Sequence, residues 1–303
     1  LSNRASGPGT GNGFWNVTQN NGVTTTLVEM ATTRGTFTTG DNTSIIQDDN
    51  LGNTRNLVVE TLIHNGVVWL SRNELTLVAQ GANFPGGNYG NVAIDFIRSS
   101  PGTTLTGGVT TTGTVTLGSG LQAPNSTAFL DTNGFNLNVG SLSIGSIVTN
   151  KNGNLDGSTS TITVTGDLII QAADVARDNT FNANGSNILV GGNWTNNDVF
   201  NAGTSTVTFN DNAGTSTITS GGDAFNHIIF NDGGGRATFE LQDALDVNGN
   251  LTLTSGTLDA QLGVNNAISI AGNWTTTGGA FTARGGTVTL DGGGLQTITS
   301  GGS

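Results

Sequence analysis

The sequence lacks cysteine and contains little proline, methionine or charge: its 303 residues include no Cys, 4 Pro, 1 Met and 10% charged residues. Without cysteine there can be no disulfide framework and no thiolate metal site. Soluble domains average about 25% charged residues, so this composition disfavours charged helical bundles and coiled coils. No apolar run approaches the roughly 18–20 residues that span a bilayer, and no membrane insertion is expected.

The few charges are mostly negative, with a net charge of −12 and one lysine, Lys151. This charge would repel a nucleic-acid backbone or an anionic membrane surface, so neither is expected as a partner. The chain begins at Leu1 and its single methionine is Met30. We therefore expect a segment before Leu1, either a cleaved secretion signal or a trimmed stretch.

Glycine is abundant, with 48 residues, and short runs of Thr, Val and Ile lie between Gly/Asn clusters. Alternating segments such as 206–209 (Thr-Val-Thr-Phe) are typical of strands with one buried face. Gly and Asn tolerate positive φ and favour turns at the breaks. These patterns predict an all-β protein of short strands.

One motif repeats within the chain. Gly192-Asn193-Trp194-Thr195 recurs 80 residues later at 272–275, and the flanking strands recur in the same order. We place the copies near 188–267 and 268–303. Repetition of this kind is typical of stacked, repetitive architectures.

Strands of four to six residues with polar corners favour a parallel β-solenoid with several strands per turn. At roughly 20 residues per turn the repeat would span about four turns, with corners stacked as Asn or Thr ladders. The alternative is a series of tandem β-sandwich domains. Residues 1–100 differ in composition and are predicted to form a less regular N-terminal β module or cap, with the repetitive solenoid over 101–303.

The segments 250–259 and 192–195 resemble the strand repeats of bacterial surface exoproteins of the filamentous haemagglutinin and autotransporter-adhesin type. The resemblance covers roughly the last two-thirds of the chain. It implies an exported right-handed β-helix at the cell surface that acts as an adhesin, stalk or matrix component.

These observations predict a non-enzymatic extracellular structural protein, the self-assembling subunit of a surface filament, sheath or adhesive stalk. The second repeat stops at a strand-turn junction, and we expect that edge to pair with another copy or with a longer chain. The alternatives are a glycan-binding adhesin module and a β-helix polysaccharide lyase or hydrolase. Surface glycans are therefore a second candidate partner besides the chain itself.

No catalytic, cofactor or metal site is expected. Asp48-Asp49 is the only adjacent acidic pair, and it is interpreted as a solvated turn rather than a glycosidase dyad. Structural calcium is conceivable but not indicated, because no EF-hand or calcium-roll spacing occurs. The isolated carboxylates weighed for it are Asp174, Asp178, Asp211, Asp232, Asp243, Asp246 and Asp259.

Three surface features complete the candidates. Trp194 and Trp274 could stack on sugars, although an aromatic filling the coil is the favoured interpretation. The Asn-X-Ser/Thr tripeptides are candidate glycosylation sites that an Asn- and Thr-rich chain also produces by chance; they begin at Asn16, Asn42, Asn125, Asn184, Asn193, Asn250 and Asn273. Thr-rich strands suggest ice binding, but their spacing in the sequence is irregular, which disfavours it.

Overall fold

The computed structural model describes residues 16–27, 31–40, 45–48, 56–65, 68–69, 74–78, 83–95, 102–118, 126–145, 151–173, 177–234 and 236–301. These residues form strands, turns and bends, with no helix among them. Every strand pair in the described part of the chain is parallel. The chain is therefore an all-β solenoid of about ten turns, as predicted.

The strands are short because a corner follows every few residues. In chain order they are β1 Val17–Thr18, β2 Thr24–Leu27, β3 Ala31–Thr38, β4 Ile45–Asp48, β5 Asn56–Ile63, β6 Val68–Trp69, β7 Glu74–Leu77, β8 Asn83–Phe84, β9 Gly87–Tyr89, β10 Asn91–Ile94, β11 Thr103–Leu105, β12 Val109–Thr111, β13 Thr114–Leu117, β14 Ser126–Asp131, β15 Leu137–Val139, β16 Ser141–Ile144, β17 Lys151–Asp156, β18 Thr161–Val164, β19 Leu168–Ile170, β20 Thr180–Asn182, β21 Asn187–Val190, β22 Trp194–Asn196, β23 Val199–Asn201, β24 Thr206–Phe209, β25 Gly214–Thr219, β26 His227–Phe230, β27 Ala237–Leu241, β28 Leu245–Val247, β29 Leu251–Leu253, β30 Thr257–Asp259, β31 Ile268–Ile270, β32 Trp274–Thr276, β33 Ala280–Thr282, β34 Val288–Leu290 and β35 Ile298–Thr299.

The strands stack into five sheets. Sheet 1 contains thirteen strands, from β1 to β33; sheet 2 contains β8, β11, β14, β17, β20 and β23; and sheet 3 contains ten strands, from β9 to β35. Sheet 4 contains β2, β4 and β6, and sheet 5 contains β28, β31 and β34. From β7 onward a turn visits sheet 1, then sheet 2 or 5, then sheet 3, except that β25 in sheet 1 leads to β26 in sheet 3 with no named strand between them. The alternative of tandem sandwiches is wrong, because sandwich sheets are built from antiparallel strands.

The first turns are simpler than the rest. Among the residues that the structure describes there, β1 to β7 alternate between sheets 1 and 4 with two strands per turn, and the third face starts at β8. Sheet 1 continues across residue 100, because β10 pairs with β13. The less regular N-terminal region is thus continuous with the solenoid, and the change to three strands per turn falls near residue 80.

The repeated Gly-Asn-Trp-Thr motif is out of phase with the turns. Trp194 begins β22 in sheet 1, whereas Trp274 begins β32 in sheet 3. From β22 to β30 the chain completes three turns. It then passes through β31 in sheet 5 to reach β32 in sheet 3, about two thirds of a further turn. The repeat thus spans close to the four turns expected, but its two copies begin on different sheets, because the motif marks a type of corner rather than one face. Turn length also varies: Val109 and its partner Leu137 are 28 residues apart, and Ile188 and Val207 are 19 apart.

The interior is one continuous apolar cluster that extends from Phe37 to Trp274. Alternate strand residues point inward, so strands such as β18 and β24 are buried at every second position. Rings from three sheets meet in the middle of the cluster: the Trp194 ring centroid lies 4.9 Å from that of Phe200, 5.2 Å from Phe225 and 6.2 Å from Phe209. The solenoid is therefore filled by packed side chains rather than enclosing a channel.

Corner side chains bond one turn to the next. Asp167 Oδ1 accepts the backbone N–H of Asn193 at 2.8 Å, and Asn193 Oδ1 accepts the backbone N–H of Thr217 at 2.8 Å. The same relation recurs where sheet 5 meets sheet 3, from His227 Nδ1 to Asn250 N–H at 2.9 Å and from Asn250 Oδ1 to Asn273 N–H at 2.8 Å. Asp167, Asn193 and Asn250 each directly precede the inward-facing residue that starts a strand, whereas His227 is itself the first residue of β26. These are the polar ladders expected at the corners.

Replacing Asn193 with alanine tests this ladder. Thr217 would lose the acceptor for both its backbone N–H and its Oγ1, which lies 2.9 Å from Asn193 Oδ1. We expect Asn193→Ala to lower the free energy of unfolding by about 1–3 kcal/mol, the usual cost of leaving hydrogen-bond donors without an acceptor. The measurement is urea denaturation followed by far-UV circular dichroism. Asn197→Ala, at an exposed position just after the same strand, is the matched control; an equal loss in both variants would contradict the role of the ladder.

Candidate functional site

The two tryptophans that were candidates for sugar stacking both pack against other rings. Trp194 is fully buried among Phe200, Phe209 and Phe225, so its ring is closed to a saccharide. Trp274 is 7% exposed, lies 4.9 Å from Phe281 between ring centroids and donates its Nε1–H to Thr276 Oγ1 at 2.8 Å. In this structure both rings fill the coil.

Five of the seven candidate glycosylation asparagines lie in the described part of the chain; Asn42 and Asn125 lie outside it. Asn193, Asn250 and Asn273 are ladder residues whose Oδ1 atoms accept backbone N–H groups of the next turn. Asn16 Oδ1 accepts the Thr36 N–H at 2.9 Å, and Asn184 donates its amide to Asp156 Oδ1 at 2.6 Å. All five amides therefore have structural roles, which explains the asparagines without a glycan.

The isolated carboxylates considered for calcium are spread along the solenoid, and most hold turns. Asp211 Oδ2 accepts the Ser216 hydroxyl at 2.7 Å, Asp232 Oδ2 accepts the Ala237 N–H at 2.8 Å, and Asp243 Oδ1 accepts the Ser220 N–H at 2.8 Å. Asp178 and Asp246 are exposed, and Asp174 lies outside the described residues. The described residues contain no group of three or more His, Asp or Glu side chains placed to hold a metal. Asp48 ends β4, and its neighbour Asp49 lies outside the described residues.

An ion pair couples Asp259 to Arg284 on the neighbouring turn. Arg284 binds Asp259 through two hydrogen bonds, Nε to Oδ1 at 2.9 Å and Nη2 to Oδ2 at 2.6 Å. These bonds lower the pKa of Asp259, although partial burial acts against them. Arg284 has a φ of 53°, which is uncommon for a residue with a side chain. The bidentate geometry makes the pair another link between turns.

Three neighbouring carboxylates, Asp178, Asp198 and Asp223, belong to the loops after sheet 1. Burial raises the pKa of Asp198, and the like charges of Asp178 and Asp223 raise it further, while the hydrogen bond from Asn179 N–H acts in the opposite direction. Asp223 Oδ2 accepts the N–H of Phe200 at 2.7 Å, and Asp198 Oδ2 accepts that of Asn179 at 2.6 Å. These carboxylates therefore act as acceptors that hold the loops in place.

A shallow polar groove of about 310 Å³ lies at the corner where sheet 3 turns into sheet 1. It is lined by Thr163, Val164, Thr165, Gly191, Asn210, Asp211 and Asn212. Ligand pockets of this size are usually lined by apolar and aromatic side chains. Only Val164 in this lining is apolar, and Asp211 already binds Ser216. The groove does not combine the features of a small-molecule site.

Sequence reasoning missed a buried ion pair between Lys151 and Asp95. Lys151 Nζ lies 3.3 Å from Asp95 Oδ2, and the two side chains are 3% and 0% exposed. Asp95 follows β10 and Lys151 begins β17, so the pair connects corners two turns apart. At the intervening corner, a Cβ on Gly118 would approach the Asn152 carbonyl oxygen to 2.9 Å. The signal in the sequence was that Lys151 is the only lysine, placed at the start of a strand.

A second polar group that faces the interior is the half-buried His64, which follows β5. Its Nδ1 lies 3.5 Å from Thr39 Oγ1, and its ring centroid is 4.7 Å from that of Tyr89. Gly87 lies against the ring with a φ of 153°, and a Cβ there would collide with the imidazole. Burial lowers the pKa of His64 to about 4, so the ring is neutral near pH 7. His64 therefore packs as a neutral side chain.

No family model matches this chain, and neither the curated proteins nor the solved structures that were compared with it give a match. None of the described residues lies in a helix of the length and apolarity needed to cross a membrane.

Removing one partner of the Lys151–Asp95 pair should be costly. Lys151→Met removes the contact of Lys151 Nζ with the buried Asp95 carboxylate, and breaking a buried ion pair from one side lowers the free energy of unfolding by about 3–5 kcal/mol. Adding Asp95→Asn to Lys151→Met removes that charge and should recover part of the loss. Urea unfolding of the two single variants and the double variant measures the coupling; losses that simply add would contradict it.

His64 should make stability depend on pH. Because its pKa is about 4 when folded and 6.5 in the unfolded chain, the unfolded state binds more protons between these values. The free energy of unfolding should therefore fall as the pH drops from 6.5 to 4, by about 1–2 kcal/mol after allowance for partial exposure. Urea titrations of wild type and His64→Gln across this range test it. If both lose the same amount, the effect arises from the carboxylates instead.

Proposed function

We propose that this protein is a non-enzymatic structural scaffold, a self-assembling subunit of an extracellular filament, sheath or adhesive stalk. The observation that carries the proposal is the use of its polar side chains. Ladder residues such as Asn193, Asn250 and Asn273 bond one turn to the next, and the apolar core continues without interruption beneath them.

The distribution of carboxylates supports the same proposal. Glycoside cleavage needs two carboxylates held across a substrate cleft. Here Asp167, Asp211 and Asp243 each accept hydrogen bonds from nearby backbone or hydroxyl groups, at positions spread along the solenoid. Such carboxylates stabilise the corners of the solenoid, which is the role expected of them in a structural scaffold.

The one-dimensional architecture supports the proposed self-assembly. Each turn contacts mainly its neighbours, so a solenoid can be extended by adding turns, within one chain or between chains. The thirteen strands of sheet 1 correspond to a body about 58 Å long at about 4.8 Å per strand. The extracellular location rests on the resemblance of the strand repeats to surface exoproteins.

Negative-stain electron microscopy of the purified chain tests this proposal. We expect filaments whose width matches one solenoid, or a small number of solenoids, and whose length grows with protein concentration. Small-angle X-ray scattering at low concentration should give an elongated particle of about 58 Å. Discrete particles at every concentration would contradict a self-assembling subunit.

A further inference from the structure

The ten strands of sheet 3 contain no Asp, Glu, Lys or Arg. Strands of the other long faces carry charge: Glu240 and Asp259 on sheet 1, Asp131 and Asp156 on sheet 2, and Asp246 on sheet 5. In a chain with a net charge of −12, sheet 3 is therefore a long face without charge.

The outward side chains of sheet 3 form a short column of Thr161, Asn187, Thr206 and His227, and one column that runs the whole length of the sheet. The paired residues in it, one per turn, are Asn88, Thr110, Asn138, Thr163, Leu189, Thr208, Ile229, Thr252, Thr275 and Thr299. All are half-buried or exposed, while the strand residues that alternate with them are buried from β12 to β29. The irregular spacing in the sequence hid this column, because turns of different length still place their strands in register.

The middle of the column is apolar. Leu189 and Ile229 pair with Thr208 from either side, and the remaining members are Thr and Asn. An apolar centre with a polar, uncharged rim is the usual anatomy of a protein–protein interface. The β-branched threonines have few rotamers to lose on contact, which lowers the entropic cost of association.

We propose that this outer face of sheet 3 binds the same face of a second copy of the chain. Two copies can meet here without opposing carboxylates, whereas contacts through the other faces would bring like charges together. A face that binds itself forms a two-fold interface. The inference rests on the proposed self-assembly and specifies its lateral contact.

The size of the face sets the strength of this contact. Ten strands spaced by about 4.8 Å, each contributing three to four residues of about 3.3 Å, give roughly 430–570 Å² per copy. The total of roughly 1,000 Å² is at the lower limit for a specific interface. A single pair of chains should therefore associate weakly, and longer arrays should associate more tightly because each turn adds contact area.

Sedimentation equilibrium across a concentration series tests the contact with matched variants. Thr208→Asp places two carboxylates near each other at the centre of the two-fold interface. The control is Thr195→Asp, an outward and half-buried position of sheet 1. We expect wild type and the control to dimerise with similar constants and Thr208→Asp to dimerise at least tenfold more weakly.

Equal weakening by both variants would overturn the proposal, as would a wild type that stays monomeric at every concentration. A monomeric wild type adsorbed by growing ice or by an insoluble neutral polysaccharide would also overturn it, and would assign the face to that ligand. Negative stain separates this inference from end-to-end assembly: Thr208→Asp should give single filaments where wild type gives laterally paired ones. Unpaired wild-type filaments would overturn the lateral contact alone, and absence of filaments in both would instead count against the proposed function.

Discussion

The hydrogen bond from a backbone N–H at a corner to the side chain one turn below holds this solenoid in register. At a corner the strand ladder is interrupted, and a buried or half-buried N–H left without an acceptor would be costly. Asn193, with Asp167 before it and Thr217 after it, supplies that acceptor and aligns the strands on either side. Because the strand starts are fixed there, the other corners can vary in length, and they do.

The sequence allowed the parallel solenoid, the alternating strands and the polar ladders to be predicted, since each depends on local patterns. It did not reveal the phase of the repeat, because Gly-Asn precedes a strand at two different edges, before Trp194 in sheet 1 and before Trp274 in sheet 3. Contacts between distant residues were equally hidden. The Lys151–Asp95 pair joins residues 56 positions apart. The long outward column of sheet 3 can be recognised only when the register of its ten strands is known.

The sites proposed from single residues were the least predictable part. The ring of Trp194 is enclosed by phenylalanines contributed by other strands, which no local pattern around it discloses. Most of the candidate asparagines and aspartates in the described part of the chain accept hydrogen bonds at corners or in turns, so the same residue types that suggest ligands serve there as internal acceptors. What distinguishes the faces is charge: acidic residues occupy sheets 1, 2 and 5, and sheet 3 has none. Growth along the axis and contact across sheet 3 would use different parts of the molecule.

The central claim is that successive strands of sheet 3 stack in parallel, one per turn. The chain has no cysteine, so pairs of introduced cysteines can be spin-labelled without background. Distances from Thr110 to Thr208, Thr252 and Thr275, measured by double electron–electron resonance, should increase linearly with the four, six and seven turns that separate them, to about 19, 29 and 34 Å. Distances that do not increase with the number of turns would contradict the solenoid. So would distances that depend only on which part of the sequence the two labelled residues come from.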